Sequence, residues 1–97
     1  MTTHVTDAQI YRADPAAPTK RWTGNPVAES SRVAVHDSQP KVSQPFRFAN
    51  GSTVADFVVG GAYWLIGEAD DGRRVWRLRI REVRPAGLDV MLVCDVL

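Results

Sequence analysis

The side chains that could do acid–base, nucleophilic or metal chemistry are few in this sequence and form no recognisable set. The two histidines, His4 and His36, fall in the N-terminal half, while the single cysteine, Cys94, lies in a strand-like segment. No spacing among them matches a zinc site or a nucleophile with its base. Cys94 is interpreted as a core thiol. We therefore expect no catalytic residue, no metal site and no cofactor, and we predict that the chain is not an enzyme.

Two other local patterns are typical of turns. Asp70 and Asp71 precede Gly72 between two apolar segments, where acidic residues are common in tight turns. The pair Gly60-Gly61 has no following helix with a lysine that could bind a phosphate. We interpret both patterns as structural.

A mixture of aromatic, arginine, methionine and aliphatic side chains shares one face of the sheet predicted for the C-terminal half. Such a mixture is typical of the centre of a protein–protein interface. The alternative is a solvated sheet face on which Arg79 stacks on Trp64 and arginine stems cover apolar neighbours. Trp22, isolated among polar residues, is predicted to anchor its segment in a pocket of a partner or of the same chain. The predicted interface residues are Trp22, Trp64, Ile66, Arg77, Arg79, Arg81, Met91 and Val93.

The elements that position this face begin with a hairpin. Asp71-Gly72 lies between the segments 62–68 and 74–81, and an Asp-Gly pair favours a two-residue hairpin turn. With these two residues as the loop, Arg79 is expected opposite Trp64. The strict alternation of the second segment directs three apolar side chains to the core, namely Trp76, Leu78 and Ile80.

A third strand is predicted after residue 87. A two-residue loop at Pro85-Ala86 would bring arginine side chains into the core, because a shift of one residue turns every side chain to the opposite face. A three-residue loop over 85–87 keeps the apolar faces together and places Arg77 opposite Asp95. We therefore predict the longer loop.

Two short segments complete the predicted module. Asn50-Gly51 follows the strand-like segment 46–49 and is a second turn signal. The β-branched and aromatic content of residues 53–59 favours a strand, with a short helix opened by Thr53 and Asp56 as the alternative. Five short strands predict an all-β fold, a small antiparallel and partly closed barrel of the SH3-like or OB-like kind over residues 46–97.

The N-terminal half has a different composition. It holds fifteen apolar residues in positions 1–45, against twenty-eight in positions 46–97, and five of the six prolines. Proline removes a backbone donor, so we expect at most one helical turn over 6–11 and a short strand over 32–36. Residues 1–45 are predicted to form an extended arm that gains its order from other molecules.

Charge and length exclude several classes of partner. The formal net charge is +1, and residues 46–97 carry seven basic and seven acidic side chains. A phosphate-binding surface needs a clear basic excess, so nucleic acid is disfavoured as a partner. No run of eighteen apolar residues is present, so we expect no membrane span. A barrel of about 60 residues is marginal alone, and association is its expected reinforcement.

The layout of a proline-rich arm before a compact β module resembles the small head, decoration or tail proteins of double-stranded DNA phages with GC-rich hosts. The resemblance implies a virion protein, assembled in the host cytoplasm, whose arm laces over neighbouring subunits. We therefore predict a structural assembly protein that reinforces a symmetric particle, with copies of itself or other structural subunits as partners. The alternative is a binding module for single-stranded nucleic acid or a regulatory protein, using Trp64 with Arg77 and Arg79.

Overall fold

The computed structural model describes residues 1–13 and 23–97, which form six antiparallel β-strands and one short 3-10 turn. The strands close into a barrel in the order β1-β2-β3-β6-β5-β4, so β4 also pairs with β1. The predicted all-β class and small antiparallel barrel are confirmed, although the barrel has six strands and is closed. The strands are β1 (Thr2–Arg12), β2 (Thr23–His36), β3 (Val42–Phe48), β4 (Ala62–Ala69), β5 (Gly72–Ala86) and β6 (Asp89–Val96).

The two halves of the chain contribute three strands each. Strands β1, β2 and β3 pair in sequence, as do β4, β5 and β6, and the halves meet where β1 pairs with β4 and β3 with β6. The prediction of a separate arm over residues 1–45 is therefore wrong for the described part of that segment. Its strands bury one face and leave polar residues on the other, so they need few apolar side chains.

The core is built from both halves and contains no buried polar or charged residue among those described. Strands β1 and β2 contribute a large share of it, including Val5, Ile10 and Val33, each fully buried. A β-bulge at Asp7, whose φ is 50°, lets Val5 and Ala8 face inward although they are three residues apart. The largest fully buried side chains are Phe46, Ile10, Leu65, Leu78, Ile80, Leu92, Val5, Val33, Val42, Val90 and Cys94.

The β4–β5 hairpin has the predicted strands and faces with a different turn. Ala69 pairs with Gly72, so the turn is Asp70-Asp71, and Gly72 has a φ of 108°. The predicted register, with Asp71-Gly72 as the loop, is wrong by a two-residue shift. A shift of two preserves the division between inner and outer faces, because side chains alternate with a period of two.

The β5–β6 hairpin turns at Gly87-Leu88, since Ala86 pairs with Asp89, and not over residues 85–87 as predicted. A register shift between Ile80 and Glu82 marks a β-bulge, which restores the match between the apolar faces that the longer loop was expected to provide.

A crossover connects β3 to β4 at one end of the barrel. It begins with Asn50-Gly51, which have φ values of 53° and 72° and form the predicted turn. Residues 54–56 form the 3-10 turn, so the short-helix alternative, opened by Thr53 with Asp56, replaces the strand favoured for residues 53–59.

Candidate interaction surfaces

The predicted outer-face residues lie on strands β4, β5 and β6 of one sheet face. Trp64 is opposite Arg77, whose guanidinium carbon lies 5.5 Å from the centre of the indole ring. The expected stacking of Arg79 on Trp64 is therefore wrong, because the two-residue shift brings Arg77 there. Arg79 is opposite Asp95 instead.

The aliphatic members of this face are covered by their own chain. Ile66 and Val93 are 7% and 6% exposed, although neither belongs to the barrel's core cluster. Met91 and Trp64 are half-buried. The premise that this face leaves a large apolar surface uncovered is therefore wrong, while a role of these residues in an interface stays a prediction.

The arginines of this face have acidic or aromatic neighbours. Arg81 Nη1 lies 3.6 Å from Asp95 Oδ1, and Arg79 is registered opposite the same aspartate. Further along β5, Arg84 Nε lies 3.8 Å from Glu82 Oε1. These contacts pair two of the six arginines of β5 with carboxylates. The remaining predicted interface residue, Trp22, lies outside the described residues.

The uncovered apolar side chains are found elsewhere, at one end of the barrel. Strand direction alternates around the barrel, so this end carries the crossover and the β5–β6 turn. In the crossover, Val54, Val58 and Val59 are 41%, 59% and 62% exposed, and Leu88 in the turn is 92% exposed. We call these four residues the apolar end. The other large apolar residues that are exposed in the described chain are the terminal Met1 and Leu97.

The crossover is held in place by Tyr63 and Phe57. The hydroxyl of Tyr63 donates to the carbonyl oxygen of Asp56 at 2.8 Å and accepts from the backbone N–H of Val58 at 3.0 Å. Phe57 is buried, with its ring centre 6.1 Å from that of Tyr63 and 6.0 Å from that of Phe48. The exposed valines are therefore carried on an ordered loop.

The start of the crossover is fixed by polar contacts. Thr53 and Asp56 form a reciprocal capping box, in which the Asp56 carboxylate accepts from the Thr53 N–H at 2.7 Å. Arg12 Nη2 lies 3.2 Å from the other oxygen of the same carboxylate and so ties the loop to the end of β1.

Sequence reasoning did not find the apolar end. Val58 and Val59 were assigned to a strand, where alternation would have buried one of them. Leu88 is an unusual residue for a turn, because turn positions favour Gly, Asn, Asp and Ser over a large apolar residue. Had the turn been placed at residues 87–88, this leucine would have indicated an exposed apolar site.

The titratable side chains form no catalytic arrangement among the described residues. Burial raises the pKa of the Cys94 thiol to about 12, with a smaller contribution from the charge of Asp95, so the thiol is protonated at neutral pH. His36 Nδ1 lies 3.1 Å from the hydroxyl of Thr2 on the exposed surface. No group of three or more His, Cys, Asp or Glu within residues 1–13 and 23–97 is placed to hold a metal ion.

Comparison of the chain with protein-family models, with curated proteins and with solved structures finds no match. In the described ranges, no helix has the length and hydropathy needed to cross a bilayer.

Proposed function

We propose that this protein is a structural subunit that joins other protein subunits in a larger assembly through the apolar end of its barrel. The observation that carries the proposal is that the crossover exposes three valines, Val54, Val58 and Val59, at 41%, 59% and 62%, with Leu88, 92% exposed, in the turn at the same end of the barrel. Isolated apolar residues are ordinary on protein surfaces, but a group of them on one surface is typical of a site of protein association.

The ordering of the crossover supports the same proposal. Binding costs less free energy when the contacting loop already has its bound conformation. Tyr63 and the capping box at Thr53 fix this loop without help from a partner. Phe57 is buried beneath the loop and anchors it, while the valines of the loop face outward.

A more specific form of the proposal is a head or tail component of a double-stranded DNA phage. Its basis was the layout of an arm before a module. Strands β1–β3 occupy most of that arm, so the layout no longer supports a phage protein. We keep the phage particle in the proposal as an example of a symmetric assembly in which such a subunit would serve.

The alternative function, binding of single-stranded nucleic acid, is not favoured by the outer face. Base stacking would need a free indole face on Trp64, and Arg77 already lies over that ring. The neighbouring Arg81 is engaged by Asp95.

The test compares the wild-type chain with Val59→Asp and Leu88→Asp. Both residues are well exposed, so the substitutions are expected to leave folding intact while placing a charge in the contact. The matched control is Leu97→Asp, a residue 56% exposed at the opposite end of the barrel. Each variant is expressed in the cells that naturally produce the chain, and lysates are fractionated by size with detection of the chain itself.

We expect the wild type and Leu97→Asp to elute in a high-mass fraction, and the two apolar-end variants to elute as free chains. Loss of a hot-spot contact costs about 2 kcal/mol or more, which corresponds to roughly thirtyfold weaker association. A wild-type chain that elutes as a monomer in the lysate, or apolar-end variants that assemble like the control, would refute the proposal.

A further inference from the structure

The seam between β2 and β3 is incompletely hydrogen-bonded. The two strands are registered at Ala28 with Phe48 and at Glu29 with Arg47, and near their turn the N–H of His36 donates to Lys41 at 2.8 Å. Between these points the described backbone of β2, over residues 30–35, has no registered partner in β3. The barrel therefore has a gap in one of its six seams.

Pro45 lies where this gap begins. The N–H of Ala49 donates to Val27 in β2, and alternate residues of a strand face the same neighbour. Arg47 and then Pro45 are the next positions on that edge of β3. Because proline has no N–H, the hydrogen bond due at this position cannot form, and the registered ladder stops at Arg47. Pro45, which was predicted to end an arm, lies inside β3 and interrupts the β2–β3 ladder.

The side chain of Gln44 fills part of the gap. Its Oε1 accepts from the N–H of Ala34 at 3.2 Å, and its Nε2 donates to the carbonyl of Arg32 at 2.9 Å and to Ser30 Oγ at 3.3 Å. One amide side chain thus takes the place of the backbone groups that a paired strand would offer to β2.

A groove adjoins the gap on the outside of the barrel. It encloses a volume of about 470 Å³ between β1, β2, β3 and the start of β6. Its charged lining consists of three carboxylates, Asp7, Glu29 and Asp89, against one guanidinium, Arg47, a net charge of −2. The ladder gap and the groove meet at Ser30.

We propose that the β2–β3 seam is a docking site for an extended segment of a partner protein that carries basic side chains. The segment would lie in extended form over the gap and take over the backbone hydrogen bonds that Gln44 now makes to β2. This inference concerns the side of the barrel and is independent of the apolar end.

Two features select this occupant. An extended backbone presents alternating donors and acceptors, which are the groups that the N–H of Ala34 and the carbonyl of Arg32 require. About six residues of a strand cover the gap, at roughly 3.3 Å per residue. The net negative charge of the groove favours arginine or lysine on the segment and disfavours acidic side chains.

The test uses two capped hexapeptides, one of alternating valine and arginine and one with glutamate in place of arginine. Each is titrated into the isotope-labelled full chain, and backbone amide shifts are followed by NMR. We expect the arginine peptide to shift the amides of Arg32 and Ala34 and the side-chain amide of Gln44, with a Kd of roughly 0.1 to 1 mM. The glutamate peptide should leave them unchanged.

Three variants sharpen the test. Gln44→Ala removes the competing side chain, so it should tighten binding of the arginine peptide about tenfold, while Gln39→Ala in the nearby turn should not. Glu29→Gln should weaken it. Absence of shifts at Arg32 and Ala34 in the wild type, or shifts located on another surface, would overturn the proposal. Equal binding of both peptides would overturn the assignment of a basic partner. Should Gln44→Ala fail to fold, the wild-type titration decides alone.

Discussion

At Gly67, β4 packs tightly against β1. An added Cβ at this position would overlap Cγ1 of Val5 and lie 3.1 Å from the carbonyl oxygen of Thr6. The close approach follows from the bulge at Asp7, which brings the β1 backbone towards β4. A glycine inside a strand commonly marks such a site, because no side chain has to fit.

We predict that Gly67→Ala destabilises the protein by about 1 to 3 kcal/mol, as overpacking of a close-packed interior usually does. The measurement is urea unfolding monitored by tryptophan fluorescence. Val5→Ala removes the overlapping methyl groups, so the double variant should lose less stability than the sum of the two single losses. Strictly additive losses would show that Val5 is not the obstacle.

At the scale of the element, one hydroxyl group bridges the two sides of the crossover. The Tyr63 hydroxyl contacts both sides of the loop, at Asp56 and at Val58, and its burial raises the pKa of Tyr63. The phenol is therefore protonated at neutral pH and available as a donor. Its removal would leave the carbonyl of Asp56 and the N–H of Val58 without this partner.

We predict that Tyr63→Phe costs about 1 to 2 kcal/mol in unfolding free energy and speeds amide exchange at Val58 about tenfold. Hydrogen exchange followed by NMR measures both local and global opening. Tyr11→Phe is the matched control, since the Tyr11 hydroxyl donates to Gln9 at 3.1 Å, away from the loop. Unchanged exchange at Val58 in Tyr63→Phe would mean that the crossover is held by Phe57 instead.

Local sequence patterns predicted the existence and the faces of the C-terminal hairpins correctly, but not their strand registers. Period-two alternation assigned the inner faces of β4, β5 and β6 correctly, because burial of one face dictates it. The bulges at Asp7 and between Ile80 and Glu82 were not predictable in the same way, since a bulge changes the register without a distinctive residue type. The burial of Ile66 and Val93 was not predicted either, because it depends on which side chains lie beside them on neighbouring strands.

At the scale of the whole molecule, the sequence indicated the wrong division of the chain. Strand β1 pairs with β4 and strand β3 pairs with β6, in addition to their pairing with β2. These two pairings join residues far apart in the sequence, so no local sequence pattern indicates them. The single proline of β3, Pro45, is tolerated because the β2–β3 ladder is interrupted there. A low count of apolar residues was interpreted as an arm, whereas a strand with one buried face needs an apolar residue at only every second position.

The C-terminal half of the chain shares its barrel and its core with β1, β2 and β3. If it were a self-sufficient module, residues 46–97 would fold alone. In the barrel, β4 and β6 each use β1 or β3 as a neighbour, and a fragment beginning at residue 46 would lose the fully buried Val5, Ile10, Val33 and Val42. Truncation of buried aliphatic side chains costs about 2 to 5 kcal/mol each, and a domain has only about 5 to 15 kcal/mol in total.

We therefore expect the 46–97 fragment to show the circular dichroism and narrow amide dispersion of an unfolded chain. A cut at the Asn50-Gly51 turn supplies the control, because fragments 1–50 and 51–97 retain all six strands between them and should recover the barrel spectrum when mixed. A well-dispersed amide NMR spectrum from residues 46–97 alone would show that this half folds by itself. It would then support the prediction that the N-terminal half is an arm used in assembly.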